Sequence, residues 1–351
     1  ICEETAVKML ENKSYSSTHV SWLMAVVAGV LLLAFTGTAA AQYEDYEGPE
    51  FCKGCHEDNY NDWKASGHPY KLMKGEQAQY RPIPLPEGSD WDDISYVIGG
   101  YKWKSRYMDS NGYIITNDAS SEGGNTQYNY LTGEWSNYHA DEANGTKPYD
   151  CGSCHTTAWI QDEDPSTPEG KQDGLEGIHG TFFAGGIQCE QCHGPGFSSM
   201  VIDSSAAACG ECHIRGEADT IPASGGFIRH HEQYNEHLAG PHAEAECVAC
   251  HNPHKRGEFS IKETAQCGVS CHADKMESFS KTSMYDYGVE CKDCHMPYAT
   301  KSAQALGPHQ GDLQTHIFYI NTDPDANMFT EDGGFVQLDE DGKAAVTMDF
   351  A

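Results

Sequence analysis

The chain has 351 residues, 38% hydrophobic content, 36 glycines and a formal net charge of −31. Such acidity excludes a nucleic-acid partner, because phosphate binding needs a basic footprint. It suits basic redox partners, metal cations or a cation-bridged self-assembly, or simply the solubility of an exported protein.

The chain opens with a targeting pattern. Leu23 to Phe35 is a continuous apolar run, followed by Thr36-Gly37-Thr38-Ala39-Ala40-Ala41. This is an h-region with a small-residue cleavage site, so residues 1–41 read as upstream residues plus signal peptide, with Gln42 as the mature start. The run is too short, and too close to that site, to read as a transmembrane span; an uncleaved anchor is the alternative. Ile1 to Lys8 precede Met9 and read as lying upstream of initiation, which takes Cys2 out of account.

Residues 42–87 form a first segment around Cys52/Cys55/His56, with helical spacing from Tyr60 to His68. Pro82, Pro84 and Pro86 then break any helix. Residues 88–150 contain no motif cysteine and read as a β-rich insertion. Tyr101–Met108 and Tyr113–Thr116 flank Asn111-Gly112, a hairpin signal, and Tyr128–Tyr138 adds strand around Thr132-Gly133-Glu134. Residues 151–320 carry six more copies of the first motif: Cys151/Cys154/His155, Cys189/Cys192/His193, Cys209/Cys212/His213, Cys247/Cys250/His251, the stretched Cys267/Cys271/His272, and Cys291/Cys294/His295. In residues 321–351, Phe335–Leu338 and Ala344–Phe350 surround Asp339-Glu340-Asp341-Gly342, which predicts a C-terminal hairpin. The chain stops inside that second apolar stretch, which reads as a truncation.

Cys-x-x-Cys-His is the pattern of c-type haem attachment: two thiols form thioethers to the vinyl groups and the next residue places imidazole on the iron. Seven copies consume every cysteine except Cys2. A disulfide framework predicts variable spacing and no following histidine. Structural zinc would combine cysteine pairs with each other or with distant histidines. Neither explains a histidine after every second cysteine. About 44 residues from Gln42 per motif is too little chain for ordinary apolar cores, so the cofactors must supply much of the interior. The expected fold is a mostly α and irregular multihaem cytochrome wrapped around closely packed c haems, with the β-rich insertion and the terminal hairpin.

A low-spin iron needs a sixth ligand, and neutral imidazole suits it. Outside the motifs and the signal region stand His68, His139, His179, His230, His231, His237, His242, His254, His309 and His316. An internal repeat ranks some of them. Tyr60-Asn-Asp-Trp-Lys-Ala-Ser-Gly-His68 aligns without gaps with Tyr234-Asn-Glu-His-Leu-Ala-Gly-Pro-His242, and a third copy, Met276 to Met284, ends in methionine. Met284 is either a thioether ligand or a packing residue. His254 closes the turn His251-Asn-Pro-His254, His316 precedes a strand-like run, and the adjacent His230 and His231 face different ways. His139 and His179 are weaker candidates, as are His237 and His309.

At these residues the chain resembles the multihaem c-type cytochromes of the cytochrome c-554 type and their larger relatives. The resemblance rests on Tyr96-Val-Ile-Gly-Gly100 with Trp103, Gly186 to Gly196, Arg229-His-His231, His251 to His254 and Cys291 to Pro297. It implies compact chains of mostly bis-histidine haems in parallel-stacked and perpendicular pairs, with His68, His242, His254 and His316 at positions of distal ligands. Relatives sharing Phe329-Thr-Glu-Asp-Gly333 continue into a further motif, which implies an eighth haem in the intact protein.

Three functions follow. An electron relay, periplasmic or extracellular, passes electrons between redox donor and acceptor proteins or an extracellular acceptor through saturated irons. An oxidoreductase for a small nitrogen or sulfur compound needs one open haem, for which the site at His272 is the first candidate. An extracellular haem-lined filament needs self-association, to which an exposed terminal hairpin lends itself.

Overall fold

The computed structural model describes residues 42–117, 125–167 and 169–351. The signal-peptide reading, residues 1–41, lies outside them. Among the described residues no helix is long and apolar enough to cross a membrane.

Helices are short, and the longest described, Glu57–Lys64, has eight residues. Acidic residues open it and Lys64 closes it, in the sense the helix dipole favours. Tyr60 and Trp63, three residues apart on one face, are buried beneath it.

The principal sheet is an antiparallel meander of β1 Leu72–Lys74, β2 Ile94–Gly99, β3 Lys104–Asp109, β4 Asn125–Asn129 and β5 Glu134–Asn137, in that order. Its two faces pack separate clusters, as the alternation of side chains along strands requires. Leu72, Tyr96, Ile98 and Met108 join Tyr149, Ile178 and Phe182 on one face. Met73, Val97 and Tyr107 join Ala78 and Ile83 on the other. Ile94 sits with Val97 although it shares parity with Tyr96, because the register shifts between Ile94 and Tyr96 and one bulge residue moves a side chain to the opposite face.

The turn at Asn111-Gly112 forms, with Gly112 at φ 87 and its N–H donating to the Asp109 carbonyl at 2.9 Å. The expected hairpin beyond it shrinks to a single bridge, Met108 opposite Ile114, flanked by Asp109 N–H to Tyr113 O at 2.8 Å and Ile115 N–H to Tyr107 O at 2.9 Å; β4 takes over the same edge of β3 at Lys104 and Ser105. The hairpin around Thr132 to Glu134 is present as β4 and β5.

The predicted C-terminal hairpin is absent. Its turn closes, Gly342 N–H donating to Asp339 O at 3.0 Å, but the two runs leave each other. Val336 donates to Ile221 O, Ala344 to Ala239 O and Val346 to Tyr319 O, and Ile320–Asn321 pairs in parallel with Val346–Thr347. Each run gains more by burying Val336, Ala344 and Val346 in the cluster of Ile221, Ile228, Ile317 and Met328 than by a two-stranded ladder, which is marginal alone.

Residues 183–220 and 240–298 hold five of the seven motifs, and they contribute none of the buried members of the three apolar clusters. The sheet and the C-terminal cluster are conventional cores. The stretches that carry those five motifs have none of their own.

Candidate functional site

Each motif is a single helical turn: Cys52, Cys209 and Cys247 accept from the N–H of His56, His213 and His251, each at 2.9 Å. In the stretched copy the turn is a π-helix, Cys267–Cys271. Cys267 O still accepts from His272 N–H, at 2.8 Å. A π turn absorbs one residue, so the first cysteine and the histidine keep the relation they have elsewhere. The cap dihedrals agree, φ −121 and ψ 49 at His56 against φ −120 and ψ 45 at His272.

Among the described residues no disulfide joins the fourteen cysteines of these motifs. Thiols of different motifs adjoin: Cys52 hydrogen-bonds Cys189, Cys154 hydrogen-bonds Cys212, and Cys209 hydrogen-bonds Cys247. Cys192 feels the charge of Cys209, Cys250 that of Cys267, and Cys267 that of Cys291. The motifs therefore run in space as first, third, fourth, fifth, sixth and seventh, with the second also against the fourth.

Cys55 and Cys294, the second thiols of the first and last motifs, sit within their own helical turns. Cys55 is exposed, and its N–H donates to Cys52 O at 3.2 Å. Cys294 is half-buried inside the helical turn Cys291–His295. The sequence reading gives both the same thioether role as the other twelve. For these two that role rests on the spacing of the turn, which sets each thiol one residue before its histidine.

The motif histidines are oriented by their Nδ1 atoms. His193 Nδ1 meets Val201 O at 2.9 Å, His295 Nδ1 meets Phe318 O at 2.8 Å, and His155 Nδ1 meets Lys71 O at 3.2 Å. His213 Nδ1 meets Gln233 Oε1 at 3.2 Å and His251 Nδ1 meets Ser260 Oγ at 2.9 Å. A partner on Nδ1 fixes the tautomer and leaves Nε2 for a metal.

Three candidate sixth ligands face motif histidines directly. The ring centres of His193 and His254 are 6.2 Å apart with planes 7° apart, those of His251 and His316 are 6.2 Å apart, and those of His242 and His272 are 5.9 Å apart. Two imidazoles on opposite sides of one metal, each about 2.0 Å from it, have ring centres about 6 Å apart. His68 lies beside His213, His231 lies beside His155 and His213, and the His230 ring packs on that of His231 at 4.3 Å. His155, His213 and His316 are surrounded by protein yet keep accessible surface, so they border internal space of the kind a planar cofactor fills. Burial pulls His155 down to about 4, and His68 and His316 to about 3, which keeps them in the neutral form that binds metal. The donors, the tautomers and the hollow interior fit haem c.

Other candidates stand elsewhere. His139 pairs with Glu142 at 2.7 Å on the surface. His179 lies beside Lys171, Asp150 and Asp162. His237 spends Nε2 on Ala245 O at 2.8 Å, and His309 packs on Phe350. Met284 is 52% exposed, while His242, the end of the second repeat copy, faces His272.

Two carboxylates escaped the sequence reading. Glu190, inside the third motif, is buried and accepts from Glu47 N–H, Gly48 N–H and Gly196 N–H at 2.8–2.9 Å. It staples the lead-in of the first motif to the third. Glu236, inside the second repeat copy, accepts from Thr300, Thr315 and the His316 N–H and so positions His316. Both occupy variable positions of their patterns, and only their burial distinguishes them.

Comparison with known proteins agrees with this chemistry. A family model described as the NapC/NirT cytochrome c family, N-terminal region, matches residues 12–201, more than half of the chain. The multiheme cytochrome MtrA of Shewanella baltica (strain OS185) is 23% identical over 160 residues, 38% of this chain and 44% of its own length. The octaheme sulfite reductase MccA of Wolinella succinogenes superposes with a TM-score of 0.61 at 17% identity, covering 88% of this chain and 64% of that one. The outer cell wall cytochrome OcwA superposes with a TM-score of 0.52 at 19% identity, over 78% and 79% of the two chains. At these identities the solved structures share the fold, and the chain spans less than half of the curated relative.

Proposed function

The chain belongs to the NapC/NirT cytochrome c family and is a multihaem c-type cytochrome of electron transfer, and from that premise we propose that it is an exported relay of about seven haems with mostly bis-histidine ligation. Haem c held at the motifs supplies reversible one-electron chemistry. The chain's own residues set the rest. The cysteines, Cys55 and Cys294 among them, fix each attachment edge. The motif histidines would each hold the iron of their own haem, and His254, His316 and His242 would hold it from the facing side at the third, fifth and sixth motifs. His68 and one of the adjacent His230 and His231 would do so for the second and fourth. The contiguous order of thiols gives the route, with the fourth motif joining the second, third and fifth.

The observation that carries this reading is the set of three histidine pairs about 6 Å apart, since irons saturated on both sides cannot take substrate. The acidic surface suits a basic redox partner, periplasmic or extracellular. Intact mass with a pyridine haemochrome assay on the exported protein tests it. Seven haems per chain that stay low-spin and refuse carbon monoxide support the relay. Fewer haems, or carbon monoxide binding at the third, fifth or sixth motif, contradict it.

A further inference from the structure

In a chain of net charge −31, four cations converge in the interior. Lys104 and Arg106 are two residues apart on β3 and share a face. Lys104 Nζ donates to Ser302 O at 2.6 Å. Arg106 Nε donates to Gln127 Oε1 at 2.9 Å, and its guanidinium lies 3.5 Å from the Tyr138 ring centre. Lys71 is enclosed, and its charge acts on His68, His155, His213 and His231. Arg215 reaches His230 O at 3.4 Å and Glu232 at 3.3 Å, and it feels Cys151 and Cys154 of the second motif. Lys71, Arg106 and Lys104 all act on His155.

Among the described residues, none of Lys71, Lys104 and Arg106 forms an ion pair with a carboxylate. Asp312 acts on Lys104 from a distance, but it spends its two oxygens on the N–H groups of Ser302, Ala303 and Gln304. Neutral amide and carbonyl oxygens hold Arg106 and Lys104, and burial without a counter-ion penalises their charged forms, pulling Lys104 down to about 7 and lowering Lys71 and Arg106 as well, so an anion beside them would restore full charge. The missing counter-charge is the informative feature in a chain with so many carboxylates to offer.

We propose that Lys71, Lys104 and Arg106 form a buried anion site over the second motif, shaped for a carboxylate or small oxyanion group. This rests on the haem reading above. The nearest source of such an anion is the propionate of haem held at Cys151 and Cys154; a free oxyanion is the other. The guanidinium of Arg106 can bind either one bidentately, and Lys71 and Lys104 add point charges.

The test uses the exported, haem-loaded protein with Lys104→Met, Lys104→Arg and Arg106→Gln, the last a second route should Lys104→Met fail to mature. Haem content and low-spin spectra are checked first; a failure there counts against the haem reading and not against the anion site. With full haem content, Lys104→Met and Arg106→Gln shift one midpoint potential downward, because removing a nearby positive charge favours the oxidised state, and Lys104→Arg restores it. Nitrite or sulfite leaves the wild-type spectrum unchanged if the anion is a propionate. A saturable response to either, lost in Lys104→Met, identifies a free oxyanion as the occupant. Identical potentials and identical anion responses in all forms overturn the proposal.

Discussion

The turns that carry the first and sixth motifs have nearly the same backbone and opposite surroundings. His56 and His272 share cap dihedrals, and each accepts from the N–H four residues on, Tyr60 and Met276, at 2.9 Å. Behind His56, Tyr60 and Trp63 are 4% and 9% exposed, and Trp63 Nε1 donates to Ile187 O at 2.8 Å. Behind His272, helix Ala273–Phe279 buries no residue, and Met284, Tyr285 and Tyr287 face solvent. The local pattern therefore encodes attachment only. Burial and the facing histidine come from other parts of the chain. At the first motif Glu190 and Ile187 draw the third motif onto the turn. At the sixth, His242 arrives from the preceding segment to face His272, while Met284 is exposed.

The largest contrast should come from the thioethers themselves. Cys52→Ala/Cys55→Ala removes a turn clamped against the third motif, and the yield of exported protein should fall several-fold. Cys267→Ala/Cys271→Ala should export near wild-type yield with one haem fewer by haemochrome assay. Equal yields would break the comparison.

Next, Trp63→Ala should cost about 3–5 kcal/mol, as expected for deleting a buried indole, whereas Phe279→Ala should cost under about 1 kcal/mol. Thermal unfolding of holoprotein reads both. A smaller effect is expected from Glu190→Ala. It leaves three backbone N–H groups without their acceptor, for about 2–4 kcal/mol. Hydrogen exchange should then show Pro49–Lys53 losing protection to the level of Ala273–Phe279; unchanged protection would mean the staple is incidental.

Much of the chemistry was legible because it is local. The seven motifs are contiguous patterns, and the turns at Gly112, Gly133 and Gly342 need only neighbouring residues. Cys55 and Cys294 show the reach of that locality, since the Cys-x-x-Cys-His spacing of their own turns is enough to assign them a thioether role. The repeat ending in His68, His242 and Met284 ranks segments but cannot name the partner of each, since which ring faces which depends on contacts across the chain. His242, thirty residues before His272, is the ring that faces it, whereas the in-register Met284 is exposed. The C-terminal ladder misled for a related reason: two apolar runs around a turn describe a hairpin equally well as two separate anchors on a third surface. Glu190 and Glu236 were invisible because an exposed and a buried glutamate look the same in sequence.

In the proposed relay histidine, not methionine or an empty position, stands opposite His272. Electron paramagnetic resonance of the oxidised protein, with His242→Ala and Met284→Ala beside the wild type, tests it directly. The account predicts that His242→Ala gains one high-spin ferric haem that binds carbon monoxide, while Met284→Ala keeps the wild-type spectrum. A high-spin signal from Met284→Ala, or none from His242→Ala, would contradict it.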